Sequence, residues 1–273
     1  MGNVVDRLEP GRGRVNMKPY GTEMDNAFIT DLFDGWKQAK PSHKVCFVNR
    51  VLAKLGLSAR LSPPISTGAM TSVEQRINIF HLASSVLFYE VPGGFVELGC
   101  HEGQTAVLLQ NIIRHYDKSR ELHVYDSFEG LPAIQSEDGD TPFSAGQMAT
   151  TEDTLLANFK RAGLVPPVIH PGWFEDTLST QLPEPIAFAH LDGDLYESVR
   201  VSLEHVYPKL SKGSVCLIDD YADLAVLESV EMCPGVKRAC DEFLQDKPES
   251  VALLYGGYDS KLGFGSHGFF RKL

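Results

Sequence analysis

From about residue 70 the chain alternates short apolar runs with amphipathic stretches of helical period. Gly94–Leu98, Leu122–Asp126, Val168–His170, Ile186–Leu191 and Ser214–Ile218 read as strands. Those strands are apolar almost throughout instead of alternating, as strands covered on both faces are. Ser72-Val-Glu-Gln75 is a capping box that predicts a helix, with Val73, Ile77, Phe80 and Leu87 following at helical spacing. Gly103 opens a second helix with Ala106, Leu109 and Ile113 on one face; Thr151–Ala162 is a third; Val199, Leu203, Val206 and Leu210 mark a fourth; Gly235–Leu244 is a fifth. Glu129–Gly146 is polar, Gly-rich and loop-like, and Val251–Tyr255 with Gly263–Phe270 reads as a terminal hairpin.

Strands alternating with helices predict an α/β, doubly wound, mostly parallel, Rossmann-like seven-stranded sheet with an antiparallel C-terminal hairpin. The first 60 residues are different. Helix-like pieces at Asp31–Lys40 and Val45–Leu55 flank Pro41, and Leu61–Ile65 with its paired prolines reads as a linker. We therefore expect an N-terminal helical extension over residues 1–64, serving as an oligomerisation and lid segment, and a catalytic domain over 65–273.

Ligands of such sheets sit at the carboxyl ends of the strands, so the residues there carry the chemistry. After the first strand comes Glu97-Leu-Gly-Cys-His-Glu-Gly103, a turn whose glycines let backbone approach a ligand. His101 stands where G-x-G-x-x-G has its second glycine, which disfavours a dinucleotide pyrophosphate and hence a dehydrogenase. Asp126 ends the second strand, where an acid can accept the hydroxyls of a ribose. His190-Leu-Asp192-Gly-Asp194 and Asp219-Asp220 end two strands expected to be neighbours. So many carboxylates at one spot repel unless a cation lies among them, and oxygen donors point to Mg²⁺, Mn²⁺ or Ca²⁺.

Composition narrows the partners. The net charge is −11, with 25 Lys+Arg against 36 Asp+Glu. That balance argues against a nucleic-acid or anionic-membrane binder, since either needs a basic face. No apolar run reaches the roughly 18–20 residues of a membrane span, and Met1–Arg14 is no signal peptide. The five cysteines lack CxxC spacing and read as free thiols of a cytoplasmic protein. Gly265-Ser-His-Gly268 lacks the first glycine of a nucleophile elbow.

Five co-linear segments carry a family resemblance: Val96-Glu-Leu-Gly99, Val124-Tyr-Asp-Ser-Phe-Glu-Gly-Leu-Pro132, Pro171-Gly-Trp-Phe-Glu-Asp-Thr-Leu178, Leu191-Asp-Gly-Asp-Leu-Tyr-Glu-Ser198 and Ile218-Asp-Asp-Tyr221. Over roughly residues 65–273 the chain resembles the macrocin O-methyltransferase (TylF-type) family. These are class I, metal-dependent enzymes that use S-adenosylmethionine to methylate sugar hydroxyls of natural products. The resemblance implies that Glu97, Gly99 and Gly103 cradle the methionine part of the cofactor, with Thr71 near its carboxylate. It implies Asp126 and Ser127 at the ribose, and Gly172, Trp173 and Phe174 at the adenine. Asp192, Asp219 and Asp220 would hold Mg²⁺. Asp192 would also touch the cofactor, Asp194 would be the general base, and His190 would be the next candidate for that role. The partner expected is a small glycoside, with the chain a homo-oligomer, dimer or larger. Two departures bear on the acceptor: His190 stands where the family pattern has an arginine, and the loop Ala222–Pro234 is longer. The alternative reading is a glycosyltransferase using Asp192-Gly-Asp194 as a DxD metal motif, which leaves Asp126 and the glycine turn unexplained.

Overall fold

The computed structural model describes residues 51–52, 71–226, 231–259 and 263–273, without the side chains of 258, 259, 263 and 264. The expected helical pieces and linker within residues 1–64 lie outside the described residues, apart from Val51 and Leu52, which are helical. The chain divides into units Met1–Ile65 and Ser66–Leu273, and the second is the subject below.

The helices are α1 (Val73–Phe88), α2 (Gln104–Tyr116), α3 (Glu152–Ala162), α4 (Phe174–Gln181), α5 (Tyr196–Val206) and α6 (Pro234–Leu244). The strands are β1 (Gly94–Leu98), β2 (Leu122–Asp126), β3 (Val168–Pro171), β4 (Ile186–Leu191), β5 (Leu210–Asp219), β6 (Ala252–Asp259) and β7 (Gly263–Arg271). They form one seven-stranded sheet in the order β3-β2-β1-β4-β5-β7-β6. β1 to β5 run parallel, and β7 is antiparallel to both β5 and β6. The doubly wound sheet and its terminal hairpin are those expected. The order reverses at β1, flanked by β2 and β4, so a crevice opens there.

Strand alternation sorts the side chains onto two faces. Val96, Leu98, Ala189, Leu191, Cys216 and Ile218 are buried in one cluster with Val199, Leu203, Val236 and Cys240 of α5 and α6. The intervening residues, Phe95, Glu97, Phe188, His190, Val215 and Leu217, face the other way and are equally buried.

Two expectations change in detail. The capping box of α1 forms, with Gln75 N–H donating to Ser72 Oγ and Ser72 N–H to Gln75 Oε1. Yet Val73 and Ile77 are exposed, and the buried positions are Gln75, Arg76, Ile79, Leu82, Ala83, Val86 and the expected Leu87. The helix is rotated so that its polar start reaches the sheet end, where it meets Asp219. Leu210 belongs to β5, after a short 3₁₀ turn at Tyr207–Lys209 ends the preceding helical stretch. α4 had no strong apolar stripe to announce it; only Thr177 and Leu178 are buried.

Candidate active site

Gly99 sets the site's innermost wall. Its φ is +88°, and a Cβ there would lie 1.8 Å from the carbonyl oxygen of Asp192. Only glycine fits, so the ends of β1 and β4 close together at the crevice. Asp192 N–H donates to Leu98 O at 2.8 Å and seals that junction.

Asp126, at the end of β2, accepts two backbone N–H groups: His101 at 2.7 Å on Oδ2 and Phe128 at 2.8 Å on Oδ1. Both donors have positive φ, 45° and 58°, a strain held at few places outside functional sites. Gly172 N–H donates to Asp126 O, which brings the turn after β3 to the same place. The cleft so formed is open to solvent on one side and is lined by Gly99, Asp126, Ser127, Gly172, Trp173, Phe174 and Asp194. It is also lined by His101, Leu131, Met148, Gly193 and Ser198, to which the sequence had given no binding role.

Thr71, Glu97, Gly103 and Asp192 do not line the cleft. Gly103 caps α2 at φ +76°, with a Cβ there blocked by Leu155. Thr71 Oγ1 is 3.4 Å from Thr105 Oγ1, beside the start of α2. Glu97 is buried below, with Oε1 3.1 Å from His190 Nδ1. Burial raises the pKa of Glu97. Burial is the largest single influence on His190 and opposes its charge, but the Glu97 hydrogen bond and the charges of Glu97, Asp219 and Asp220 together raise its pKa.

The acids at the ends of β4 and β5 form two groups. Asp194, Asp220 and Cys233 bring donor atoms within 4.8 Å of one another, and His190, Asp219 and His267 do the same. Asp192 belongs to neither group, so the expected trio Asp192, Asp219 and Asp220 is not one donor set in the ion-free chain. Consecutive residues at a strand end point to opposite faces. Asp219 turns under α1, where Gln75 Nε2 donates to its Oδ1 at 3.1 Å and His267 Nε2 lies 2.8 Å away. Asp220, at φ 53°, turns the other way, toward Cys233 Sγ at 3.6 Å. Asp194, at φ 58°, meets it there, 3.9 Å from the same sulfur.

The four carboxylates still feel one another. Burial, then Asp219, Asp194 and Asp220, raise the pKa of Asp192 well above the carboxylate range. Burial, Asp220 and Asp219 do the same to Asp194. Asp220 is pushed up to about 6 by burial and by Asp219. Asp219 is the exception. Burial would raise it, but His267 holds it low. A divalent cation is the natural replacement for the protons these groups retain.

Cys233, His267, Gln75 and Asp138 were not foreseen. Asp138, in a 3₁₀ turn of the long loop, is buried and accepts N–H bonds from Gln135 and Tyr196, both at 2.7 Å. It thereby fixes the start of α5 just after Asp194. No local pattern marks a loop carboxylate that caps a distant helix. The four described cysteines are buried and unpaired, and no described helix is long and apolar enough to cross a membrane.

Known proteins resemble this chain over most of its length. The family model described as macrocin-O-methyltransferase (TylF) matches residues 22–246. Demethyldecarbamoylnovobiocin O-methyltransferase of Streptomyces niveus is 33% identical over 189 residues, 66% of this chain and 69% of that protein. Mycinamicin III 3''-O-methyltransferase of Micromonospora griseorubida is 34% identical over 201 residues, 69% of this chain and 78% of that protein. The solved structure of the O-methyltransferase NovP superposes with a TM-score of 0.63 at 26% identity, covering 90% of this chain and 97% of that one.

Proposed function

The chain belongs to the macrocin O-methyltransferase family and is an S-adenosylmethionine-dependent O-methyltransferase; on that premise we propose that it methylates a sugar hydroxyl of a glycosylated natural product, with a divalent cation, Mg²⁺, at its acidic strand ends. The acceptor fits a deoxysugar such as a rhamnose-type unit, by analogy with a 34% identical relative, the 8-demethyl-8-(2,3-dimethoxy-alpha-L-rhamnosyl)-tetracenomycin-C 4'-O-methyltransferase of Streptomyces olivaceus. The observation that carries this reading is that Asp194 lines the same cleft as Gly99 and Asp126.

When bound, the cofactor supplies a methyl group already activated as a sulfonium, and the cation stabilises an alkoxide on the acceptor. The chain's own residues do the rest. Asp126 offers the acceptor lone pairs that two ribose hydroxyls need. Trp173, Phe174, Leu131 and Met148 supply apolar surface for a purine. Asp192, Asp219 and Asp220 are the charged ligands we assign to the ion. Asp194 would hold the acceptor hydroxyl and take its proton as that oxygen becomes the nucleophile. Alignment of oxygen, methyl and sulfur can itself supply roughly 7–11 kcal/mol of the barrier.

The test is methyl transfer from labelled S-adenosylmethionine to a panel of glycosylated natural products, with and without chelator. Calorimetry with S-adenosylhomocysteine and with nucleotide diphosphates runs beside it. We expect transfer only with the ion, binding of the first ligand and none of the second. Full transfer in chelator would refute the metal assignment. We further propose that residues 1–64 act in self-association of a cytoplasmic homo-oligomer, which a monomer in light scattering at micromolar concentration would overturn.

A further inference from the structure

The long loop between β2 and α3 touches both sides of the site. Its neck is stitched together: Leu131 N–H donates to Gln147 O and Gly146 N–H to Leu131 O, both at 2.8 Å. Leu131 on one side of the neck and Met148 on the other line the cofactor cleft. Its far end, the 3₁₀ turn Ser136–Asp138, is wedged against the starts of α5 and α6. A Cβ on Gly235, in the first turn of α6, would lie 2.9 Å from Tyr196 N and 3.1 Å from Asp138 Cα; one on Gly139 would lie 3.0 Å from Pro234 Cγ. Loop and helices therefore meet at close backbone approach.

Asp138 is 2% exposed in that wedge. It does for α5 what the helix's own N-cap does not. Leu195 is that cap, and its apolar side chain accepts nothing, so the first N–H of the helix has no local side-chain acceptor. Asp138 Oδ1 accepts the Tyr196 N–H at 2.7 Å from 58 residues away, and a carboxylate is the group a helix N-terminus favours. Asp194 stands two residues before Tyr196. It holds φ 58°, and Leu195 N–H turns back to Gly193 O at 2.6 Å. A backbone of that kind persists only where its surroundings over-determine it, and the next fixed point along the chain is the Tyr196 N–H on Asp138.

We propose that Asp138 is a positioning residue for methyl transfer. It carries the fixed geometry of the cofactor side of the cleft, through the loop and the start of α5, to the Asp194 carboxylate. A cofactor seated against Leu131 and Met148 and the base that serves the acceptor are thereby set in one frame. The inference rests on the reading of Asp194 as that base. Asp138 does not itself line the cleft. A displacement of about 1 Å at a reacting group is worth about 100-fold in rate, which gives a cap bond remote from the chemistry its leverage.

The experiment uses the full chain with Asp138→Ala and Asp138→Asn, each also combined with Asp194→Asn. Asparagine retains one oxygen for the Tyr196 N–H and should restore most of what alanine loses. With labelled S-adenosylmethionine and the fastest acceptor of the glycoside panel, we expect kcat to fall by about 10- to 100-fold in Asp138→Ala, with the KM for the cofactor nearly unchanged. In the Asp194→Asn background the same substitution should cost nothing further, because a residue acting through Asp194 has nothing left to act on. The same fold-loss in both backgrounds, or native kcat in folded Asp138→Ala, would overturn the proposal. Full rate in Asp194→Asn alone would instead overturn the base reading, and the route through Asp194 with it. Amide hydrogen exchange with S-adenosylhomocysteine as the probe decides the matter without any acceptor. The ligand should slow exchange at Tyr196 in the unaltered protein and in Asp138→Asn, while exchange in Asp138→Ala stays fast. Exchange at Tyr196 that ignores the ligand in the unaltered protein, or slows equally in Asp138→Ala, would also overturn the coupling.

Discussion

Gly99→Ala tests whether the contact of β1 with β4 builds the cofactor cleft. The new Cβ would start 1.8 Å from Asp192 O, where real Cβ atoms stay beyond 3.0 Å. The carbonyl must therefore retreat by about 1.2 Å, and the Asp192 N–H bond to Leu98 O goes with it. Alanine at positive φ costs about 1–2 kcal/mol, and the lost bond costs about 1 kcal/mol more. With residual crowding the total is about 3 kcal/mol. For a domain of this size that lowers Tm by about 6–12 °C. A displacement of about 1 Å at a reacting site can itself cost about 100-fold in rate, and S-adenosylhomocysteine affinity should fall with it. Gly146→Ala is the control. Gly146 has φ +76° but nothing within 4 Å of its added Cβ, so only the backbone term of about 1–2 kcal/mol applies. Thermal unfolding and calorimetry of both variants decide. Equal losses in the two variants, or native affinity in Gly99→Ala, would refute the close-approach argument.

Asp126→Ala removes the acceptor for the ribose and for the His101 and Phe128 N–H groups; S-adenosylhomocysteine binding should weaken by about 100-fold in calorimetry. Asp220→Asn should raise the Mg²⁺ concentration needed for half-maximal rate and be rescued by excess ion, whereas Asp194→Asn should lose rate that no Mg²⁺ restores; metal rescue of Asp194→Asn would make it a ligand. Between the ordinary carboxylate range and about pH 6, the folded ion-free chain keeps a proton on Asp220 that the unfolded chain has released. Its stability should therefore fall as pH rises through that window, less so in Asp220→Asn, and calorimetric Mg²⁺ affinity should rise over the same range as the ion displaces protons.

Much of this protein was legible in its sequence because its strands are short, apolar and separated by clear caps. Buried parallel strands such as Ile186–Leu191 announce themselves, and the turn Gly99–Gly103 with Asp126 marks the cleft because strand ends are where such sheets bind ligands. α4 was not legible, since a helix that buries only two side chains leaves no stripe. Nor was the partition of the acids. Asp219 and Asp220 are adjacent in the chain, and proximity in sequence suggested one cluster. The alternation of a strand sends their side chains to opposite faces, and only the packed sheet shows what waits on each. Asp219 meets Gln75, more than a hundred residues earlier, and His267, brought opposite by the terminal hairpin. Asp220 meets Cys233, placed by the start of α6. Local sequence determines which residues end a strand; which partners surround their side chains is settled by elements far apart in the chain, brought together when the sheet closes on its helices.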